Sequence, residues 1–112
     1  MSLCNRLIES DYEPWNFFNQ FTFFTGHDPT NGFVDYVNQS VAEATGLIRI
    51  TDDQVYIGVD DTNVTPNGRP SVRITSNMAY EHGLILLDLE HMPYGCGTWP
   101  AFWTVGSDWP NK

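Results

Sequence analysis

Apolar residues along this chain occur in short runs with turn-forming residues between them, which indicates strands rather than long helices. Residues 47–50 and 55–59 are β-branched runs on either side of a Thr51-Asp52-Asp53 turn, so they are predicted to form a hairpin. Residues 33–37 form another short strand, preceded by an aromatic cluster between residues 17 and 24. One helical turn is predicted over residues 41–44, with Ser40 as its cap and Gly46 at its end.

The later part of the chain carries stronger apolar signals. Residues 71–75 alternate, so Val72 and Ile74 are predicted to face the core while Arg73 faces the opposite side. Residues 83–90 are almost continuously apolar in their first half, which predicts a strand buried on both faces. Residues 99–105 are predicted to form a final strand, and residues 60–70 form a loop rich in turn residues.

Strands about every ten residues, with almost no helix, predict an all-β fold, either an antiparallel sandwich or a barrel. The chain has 112 residues, which is one domain at most. Residues 106–112 have the composition of a turn that introduces another strand. The sheet is therefore predicted to be incomplete at its C-terminus, with an unpaired edge.

Composition narrows the partners that such a fold would bind. The net charge is −9, from 5 basic and 14 acidic residues, so phosphate backbones repel the chain and no nucleic-acid partner is expected. No basic amphipathic stretch and no long apolar run offers a membrane contact, so no membrane partner is expected. Aromatic residues make up 14% of the chain, which suits a neutral ligand such as a sugar polymer. The oligomeric state is left open.

Residue spacing gives no common metal or nucleophile motif. The histidines lack ligand spacing, and there is no GxSxG sequence and no glycine-rich phosphate loop. No cofactor is therefore predicted and no metal ligands are assigned. The oxygen-rich loop that begins at Asp60 leaves a structural calcium ion open, since calcium prefers loop oxygens.

Cysteines and sequons leave the cellular compartment open. Cys4 and Cys96 allow one disulfide. The sequons Asn38-Gln39-Ser40 and Asn63-Val64-Thr65 accept glycans only if the chain enters the secretory path. Residues 1–6 lack the apolar segment of a signal peptide.

Carboxylates are the groups that would cut a glycosidic bond. A retaining glycosidase needs two of them about 5–5.5 Å apart. Asp88 and Glu90 lie two residues apart on one predicted strand, at a spacing of roughly 6.5–7 Å along one face. Nothing distinguishes them from polar residues that close a buried segment, so no catalytic residue is assigned.

Tryptophans give the strongest ligand signal. Trp99, Trp103 and Trp109 fall within eleven residues, and indole planes stack well on the flat C–H faces of sugar rings. A core role stays open for Trp99 and Trp103, while Trp109 lies in a polar turn. Arg73 either donates hydrogen bonds to sugar hydroxyls or is a solvated strand arginine.

Five segments of the chain form a distinctive ordered set, namely residues 32–37, 54–60, 68–73, 88–93 and 96–103. In this order and spacing they resemble fungal endo-β-1,3(4)-glucanases of glycoside hydrolase family sixteen, in the laminarinase-like branch. The resemblance extends from about Leu7 to the end of the chain and includes the phenylalanine-rich stretch before Gly26 and Asp28-Pro29-Thr30.

The resemblance implies a concanavalin-like β-jelly-roll with a cleft on its concave face, and an extracellular enzyme that hydrolyses β-glucan with retention. It implies that Arg73, Trp103 and Trp109 contact sugar on the glycone side of the cleft, while Trp99 lies nearer the core. Cys96 matches a family cysteine whose usual partner lies downstream.

The family's catalytic signature is E-x-D-x-x-E, on a strand after a W-P-x-x-G-E turn. Trp109-Pro110 match the start of that turn, and the signature does not occur in the 112 residues. The chain is therefore expected to be the N-terminal portion of one family-sixteen domain, over residues 1–112, and to be inactive alone. The alternative is a non-catalytic β-glucan-binding fragment. The preferred linkage is left open.

Overall fold

The structure, a computed structural model, describes residues 8–111, which fall into two units with a boundary between Ala79 and Tyr80. All the strands and helices of the described residues lie in the first unit. In chain order they are the 3₁₀ turns Pro14–Asn16 and Phe18–Gln20, β1 Phe21–Phe23, β2 Val34–Tyr36, α1 Gln39–Ala44, β3 Ile48–Ile50, β4 Val55–Ile57, β5 Arg69–Ser71 and β6 Ile74–Ser76.

The strands of the first unit form three pairs. β3 and β4 pair antiparallel with Ile48 opposite Ile57, which confirms the predicted hairpin. β1 and β6 are also antiparallel. β2 and β5 run parallel, unlike the antiparallel arrangement expected throughout the sheet. A parallel pair needs a long crossover, and here α1 and the β3–β4 hairpin lie between the two strands.

The helical turn predicted over residues 41–44 forms, but it begins earlier and with another cap. Asn38 is the N-cap, and its side-chain oxygen accepts a hydrogen bond from the Val41 backbone N–H at 2.9 Å. The prediction of Ser40 as the cap is therefore wrong. Gly46 follows the helix with φ +73°, a left-handed conformation that glycine adopts without a steric penalty.

The hydrophobic core lies where α1, β3 and the second 3₁₀ turn meet. Phe18, Ala42, Leu47 and Ile48 are its buried residues. Phe17 packs against this core, and its ring lies 5.2 Å from that of Phe18 in an edge-to-face arrangement. The early aromatic cluster is therefore part of the interior. Also packed against the core are Phe23, Val37, Val55 and Val72.

The strand predicted over residues 71–75 is divided in the structure. Its first part belongs to β5, which pairs with β2, and its second part belongs to β6, which pairs with β1. Val72 and Arg73 link the two, and Val72 packs against the core as predicted. One continuous strand is wrong here because two different partner strands take up its two ends.

Residues 80–111 form the second unit, and no strand occurs among them. The strands predicted over residues 83–90 and 99–105 are therefore wrong. Leu86 is 83% exposed, so the prediction that residues 83–90 are buried on both faces is wrong as well. In the other segment, Trp99 is 93% exposed. A β-strand needs a neighbouring strand to take up its backbone hydrogen bonds. Among residues 80–111 as described, no partner strand is present.

The helices of the described residues are short. The longest is α1, with six residues, and none has the length and apolar character to cross a membrane.

Candidate functional site

Arg73 lies half-buried in the link between β5 and β6, where two aromatic rings hold its guanidinium group. The guanidinium carbon is 4.5 Å from the centre of the Phe24 ring and 5.9 Å from that of Tyr36. The two rings meet edge to face at 5.6 Å. The Arg73 carbonyl also accepts a hydrogen bond from the Phe24 N–H at 2.9 Å, which continues the β1–β6 pairing. Cation–π contacts at these distances orient an arginine.

The charges around this arginine belong to one electrostatic cluster. Burial and the negative charge of Asp28 raise the pKa of Tyr36, whereas the charge and the hydrogen bond of Arg73 lower it. The positive charge of Arg73 also helps to lower the pKa of Asp28. Tyr36 therefore stays a neutral hydrogen-bonding partner at physiological pH, while Arg73 and Asp28 carry opposite charges.

Asp28 is buried and organises the turn that leads into β2. Its carboxylate accepts hydrogen bonds from the Thr30 N–H at 3.0 Å, the Thr30 hydroxyl at 2.9 Å and the Gly32 N–H at 2.8 Å. The hydrogen bond from the Thr30 backbone is the main reason why the pKa of Asp28 is lowered, against the opposing effect of burial. A Cβ atom on Gly32 would lie 2.6 Å from the Asp28 carboxylate, so any other residue here would displace that carboxylate.

Trp103 and Trp109 lie together in the second unit. Their ring centres are 4.8 Å apart at an angle of 75°, which is an edge-to-face pair. Trp103 is 48% exposed, so part of its indole face is open to a ligand. Arg73 belongs to the first unit and these two tryptophans to the second. Of the three predicted site residues, the structure therefore places Trp103 and Trp109 in direct contact.

Trp99 lies away from the core that the resemblance implied for it. It is 93% exposed and belongs to no strand, so its expected position nearer the core is wrong. Asp88 and Glu90 are likewise exposed and outside any strand. The shared strand face that made them a candidate carboxylate pair is therefore absent.

A carboxylate series near the start of the described residues escaped the sequence reasoning. Glu9, Asp11 and Glu13 lie two residues apart, so an extended strand would place all three on one face. In the structure they are exposed and precede the first 3₁₀ turn, with no strand among them. Because no element fixes their side chains relative to each other, they lack the support that a catalytic pair requires.

The Asp60 carboxylate accepts hydrogen bonds from neighbouring side chains of the same loop. The Asn63 side-chain amide donates to it at 2.9 Å and the Thr62 hydroxyl at 3.1 Å, while the Arg69 guanidinium lies 3.8 Å away. Burial raises the pKa of Asp60, but the hydrogen bonds from Asn63 and Thr62 outweigh it, and the pKa is lowered. No group of three or more His, Cys, Asp or Glu side chains suited to a metal occurs within residues 8–111. The structure therefore gives no support for calcium in this loop.

Two of the surface cavities among the described residues of the first unit have no predicted site residue in their lining. The larger has a volume of ≈ 280 Å³. It is lined by Thr45, Leu47, Asp60, Thr62, Asn63 and Pro70. The smaller, of ≈ 210 Å³, is lined by Phe18, Glu43, Ile48, Arg49 and Ile50.

Cys96 is exposed and has no disulfide within the part of the chain that the structure describes. Cys4, its only possible partner in this chain, lies outside the described residues. A disulfide between these two cysteines, which the sequence allows, therefore stays open.

Comparison with known proteins gives consistent results. The sequence profile of the XgeA-like, catalytic GH16 domain matches residues 21–112. The endo-1,3(4)-beta-glucanase of Arthroderma benhamiae is 50% identical over 108 residues, which cover 95% of this chain and 24% of that protein. The endo-1,3(4)-beta-glucanase xgeA of Emericella nidulans is 53% identical over 112 residues, which cover 96% of this chain and 18% of that protein.

Solved structures of GH16 proteins are also similar to this chain. An elongating GH family 16 beta-1,3-glucosyltransferase shares 48% identity at a TM-score of 0.58, over 62% of this chain and 25% of that one. Laminarinase 16A from Phanerochaete chrysosporium, with 6-O-glucosyl-laminaritriose in its donor and acceptor sites, shares 38% identity at a TM-score of 0.52. That likeness covers 56% of this chain and 22% of the laminarinase chain. These neighbours confirm the all-β jelly-roll prediction.

The chain spans about a quarter or less of the length of these relatives. Since the domain profile covers most of the chain from β1 onward, the chain belongs to the XgeA-like GH16 family.

Proposed function

We propose that this chain is the N-terminal part of a GH16 endo-1,3(4)-β-glucanase, and that it contributes sugar-binding residues but no catalytic residue. The observation that carries this proposal is the identity of about half over almost the whole chain to proteins named endo-1,3(4)-beta-glucanase. Hydrolysis with retention needs an acid and a nucleophile carboxylate and passes through a covalent glycosyl-enzyme. In this proposal both carboxylates come from polypeptide outside these residues.

The sugar-binding role rests on Arg73, Trp103 and Trp109. Phe24 and Tyr36 hold the Arg73 guanidinium in one orientation, so little side-chain freedom is lost when it donates hydrogen bonds to sugar hydroxyls. Trp103 offers a partly exposed indole face beside Trp109, which suits stacking on a sugar ring. A neutral polysaccharide also avoids repulsion by the net charge of −9.

Electrophoresis through a native gel that contains laminarin tests the binding role. We expect laminarin to retard the purified chain, and Arg73→Ala to weaken binding about tenfold through the loss of hydrogen bonds from a charged donor. Arg49→Ala is the matched control, because Arg49 also stacks on a tyrosine, with its guanidinium carbon 4.1 Å from the Tyr56 ring centre. Equal losses in the two variants, or no retardation of the folded chain, would contradict a site at Arg73.

A reducing-sugar assay on laminarin tests the absence of catalysis in this chain. We expect no turnover above the buffer control. Turnover that disappears in Glu90→Gln, or in the Glu9, Asp11 or Glu13 amide variants, would show that the chain supplies its own catalytic carboxylates and would refute the proposal.

A second candidate is a β-1,3-glucosyltransferase, which the likeness to the elongating transferase at 48% identity favours. The two activities share a covalent glycosyl-enzyme and differ in whether water or a sugar hydroxyl attacks it. Mass spectrometry of the products formed from a laminari-oligosaccharide, with this chain joined to the rest of a GH16 domain, distinguishes them. Products shorter than the substrate indicate hydrolysis, and longer products indicate transfer.

A non-catalytic glucan-binding chain is the alternative in which the 112 residues act alone. Binding in the gel without turnover in any longer form of the protein would favour it.

We also propose an extracellular location, since a polysaccharide too large to cross a membrane has to be met outside the cell. Immunodetection in medium and cell fractions tests this location.

A further inference from the structure

The side-chain amide of Asn63 is fully used inside the loop that follows β4. Its Nδ2 donates to the Asp60 carboxylate at 2.9 Å and to the Thr62 hydroxyl at 3.2 Å. A primary amide has two N–H hydrogens. Attachment of a glycan to Nδ2 replaces one of them, so a glycan on Asn63 removes one of these two hydrogen bonds.

The bond to Asp60 is the one that the fold can least lose. Asp60 is only 9% exposed, and its carboxylate fixes the loop through Asn63 and Thr62. Arg69 ties the same loop to β5 by donating to the Asp60 carbonyl at 2.8 Å. A buried carboxylate that loses a donor is strongly disfavoured.

The hydroxyl of the same sequon is also hidden. Thr65 Oγ1 is buried and has no hydrogen-bond partner among the described residues. The acceptor tripeptide Asn-X-Ser/Thr requires this hydroxyl as well as the asparagine. In the folded chain, the Asn63-Val64-Thr65 sequon therefore presents neither of its two recognition groups freely.

Asn38 differs from Asn63 in its hydrogen bonds, although both asparagines are exposed. Ser40, the hydroxyl residue of the Asn38 sequon, is exposed as well, whereas Thr65 is only partly exposed. The fold uses only the side-chain oxygen of Asn38, which accepts the hydrogen bond from Val41 at 2.9 Å. Its Nδ2 makes no hydrogen bond within residues 8–111. A glycan on Nδ2 therefore leaves this contact intact.

We propose that Asn38 is the N-glycan acceptor of this protein and that Asn63 stays unmodified because both hydrogens of its amide are committed, one to Asp60 and one to Thr62, and the hydroxyl of Thr65 is buried. The donor is a lipid-linked oligosaccharide diphosphate. Nδ2 of Asn38 forms a bond to the sugar C1, the C1–O bond to the diphosphate breaks, the lipid diphosphate leaves, and the amide proton passes to a base of the transferase. The proposal rests on the extracellular location proposed above.

Synthesis of the full chain behind a cleavable leader, with endoplasmic reticulum membranes present, tests this selectivity. Peptide mass mapping of the soluble lumenal product then gives the glycan occupancy of each asparagine. We expect occupancy at Asn38 to exceed that at Asn63 by roughly tenfold, the ratio that corresponds to loss of one hydrogen bond of the amide. Asn38→Gln and Ser40→Ala remove the endoglycosidase-sensitive mobility shift, whereas Asn63→Gln and Thr65→Ala leave it unchanged.

Equal or greater occupancy at Asn63, or a translocated product without a glycan, overturns the proposal. The leader forces entry into the lumen, so occupancy is measured whether or not the chain binds glucan. Laminarin binding by the unglycosylated chain is measured separately. A chain that is glycosylated at Asn38 but does not bind laminarin refutes the binding role alone.

Discussion

Residues 8–79 and residues 80–111 differ in how their apolar side chains are placed. The first unit holds three strand pairs around a buried core that includes Leu47. The second has a denser apolar run between residues 84 and 89, and yet Leu86 is 83% exposed. The more hydrophobic segment is thus the less structured of the two. Apolar side chains form a core only where partner elements surround them, because one extended segment can neither bury its own faces nor satisfy its own backbone.

Amide hydrogen exchange gives the largest expected contrast between the two units. We expect amides paired between strands, such as that of Gly58, which donates to the Leu47 carbonyl at 2.8 Å, to be protected. The exchange protection factors of these amides should exceed those of residues 84–89 by a factor of about 100, because opening the paired strands costs a few kcal/mol of free energy. Equal protection in both units would mean that the second unit has partners in solution.

Matched leucine truncations sharpen the contrast. Leu47→Ala removes a side chain that is 4% exposed, and we expect it to lower the free energy of unfolding by about 2–5 kcal/mol. Leu86→Ala removes the same atoms from an exposed position and should change that free energy by less than about 0.5 kcal/mol. Urea unfolding followed by tryptophan fluorescence measures both. A large effect of Leu86→Ala would show that its segment is packed in solution.

The hydrogen bonds of the Asp28 turn are expected to stabilise the first unit in addition to its apolar core. Asp28→Ala removes the acceptor for Thr30 and Gly32 and should destabilise the first unit by about 1–3 kcal/mol. Asp35→Ala is the control, since Asp35 lies exposed on β2. The same urea titration applies. If the two variants unfold at the same urea concentration, the Asp28 hydrogen bonds contribute no net stability.

The pH dependence of stability is the smallest expected effect. The pKa values of Asp28 and Asp60 lie below the ordinary 3.8, so their stabilisation is complete above that pH and is lost as the pH falls below it. The pKa of Tyr36 is raised above 10.0, mainly by burial, so its contribution is complete below pH 10.0 and is lost as the pH rises beyond it. Thermal melts across this range measure both limbs. Tyr36→Phe should flatten the alkaline limb only.

Several local elements follow from the sequence because neighbouring residues decide them. The β3–β4 hairpin forms as predicted, and so does the helical turn before Gly46, although the helix begins earlier, at Gln39. The cap was wrongly assigned to Ser40 instead of Asn38, because both residue types cap helices and only the structure shows that the Asn38 oxygen reaches the Val41 N–H.

The surroundings of Arg73 were beyond local reasoning. The sequence assigned Arg73 to the face opposite Val72 but gave no sign that Phe24 and Tyr36 would hold its guanidinium. Phe24 and Tyr36 lie far from Arg73 along the chain and meet it only because β1 pairs with β6 and β2 with β5. Trp103 and Trp109, six residues apart, meet within one turn-rich segment.

The sequence by itself determined the family, the all-β character and the absence of an E-x-D-x-x-E signature, since each depends on which residues occur and in what order. Only the tertiary structure decided which apolar segments are buried. It also decided where the strand through residues 71–75 divides, and which asparagine amide has a buried carboxylate as its partner. These features depend on contacts between residues distant in the chain, and no local pattern contains those contacts.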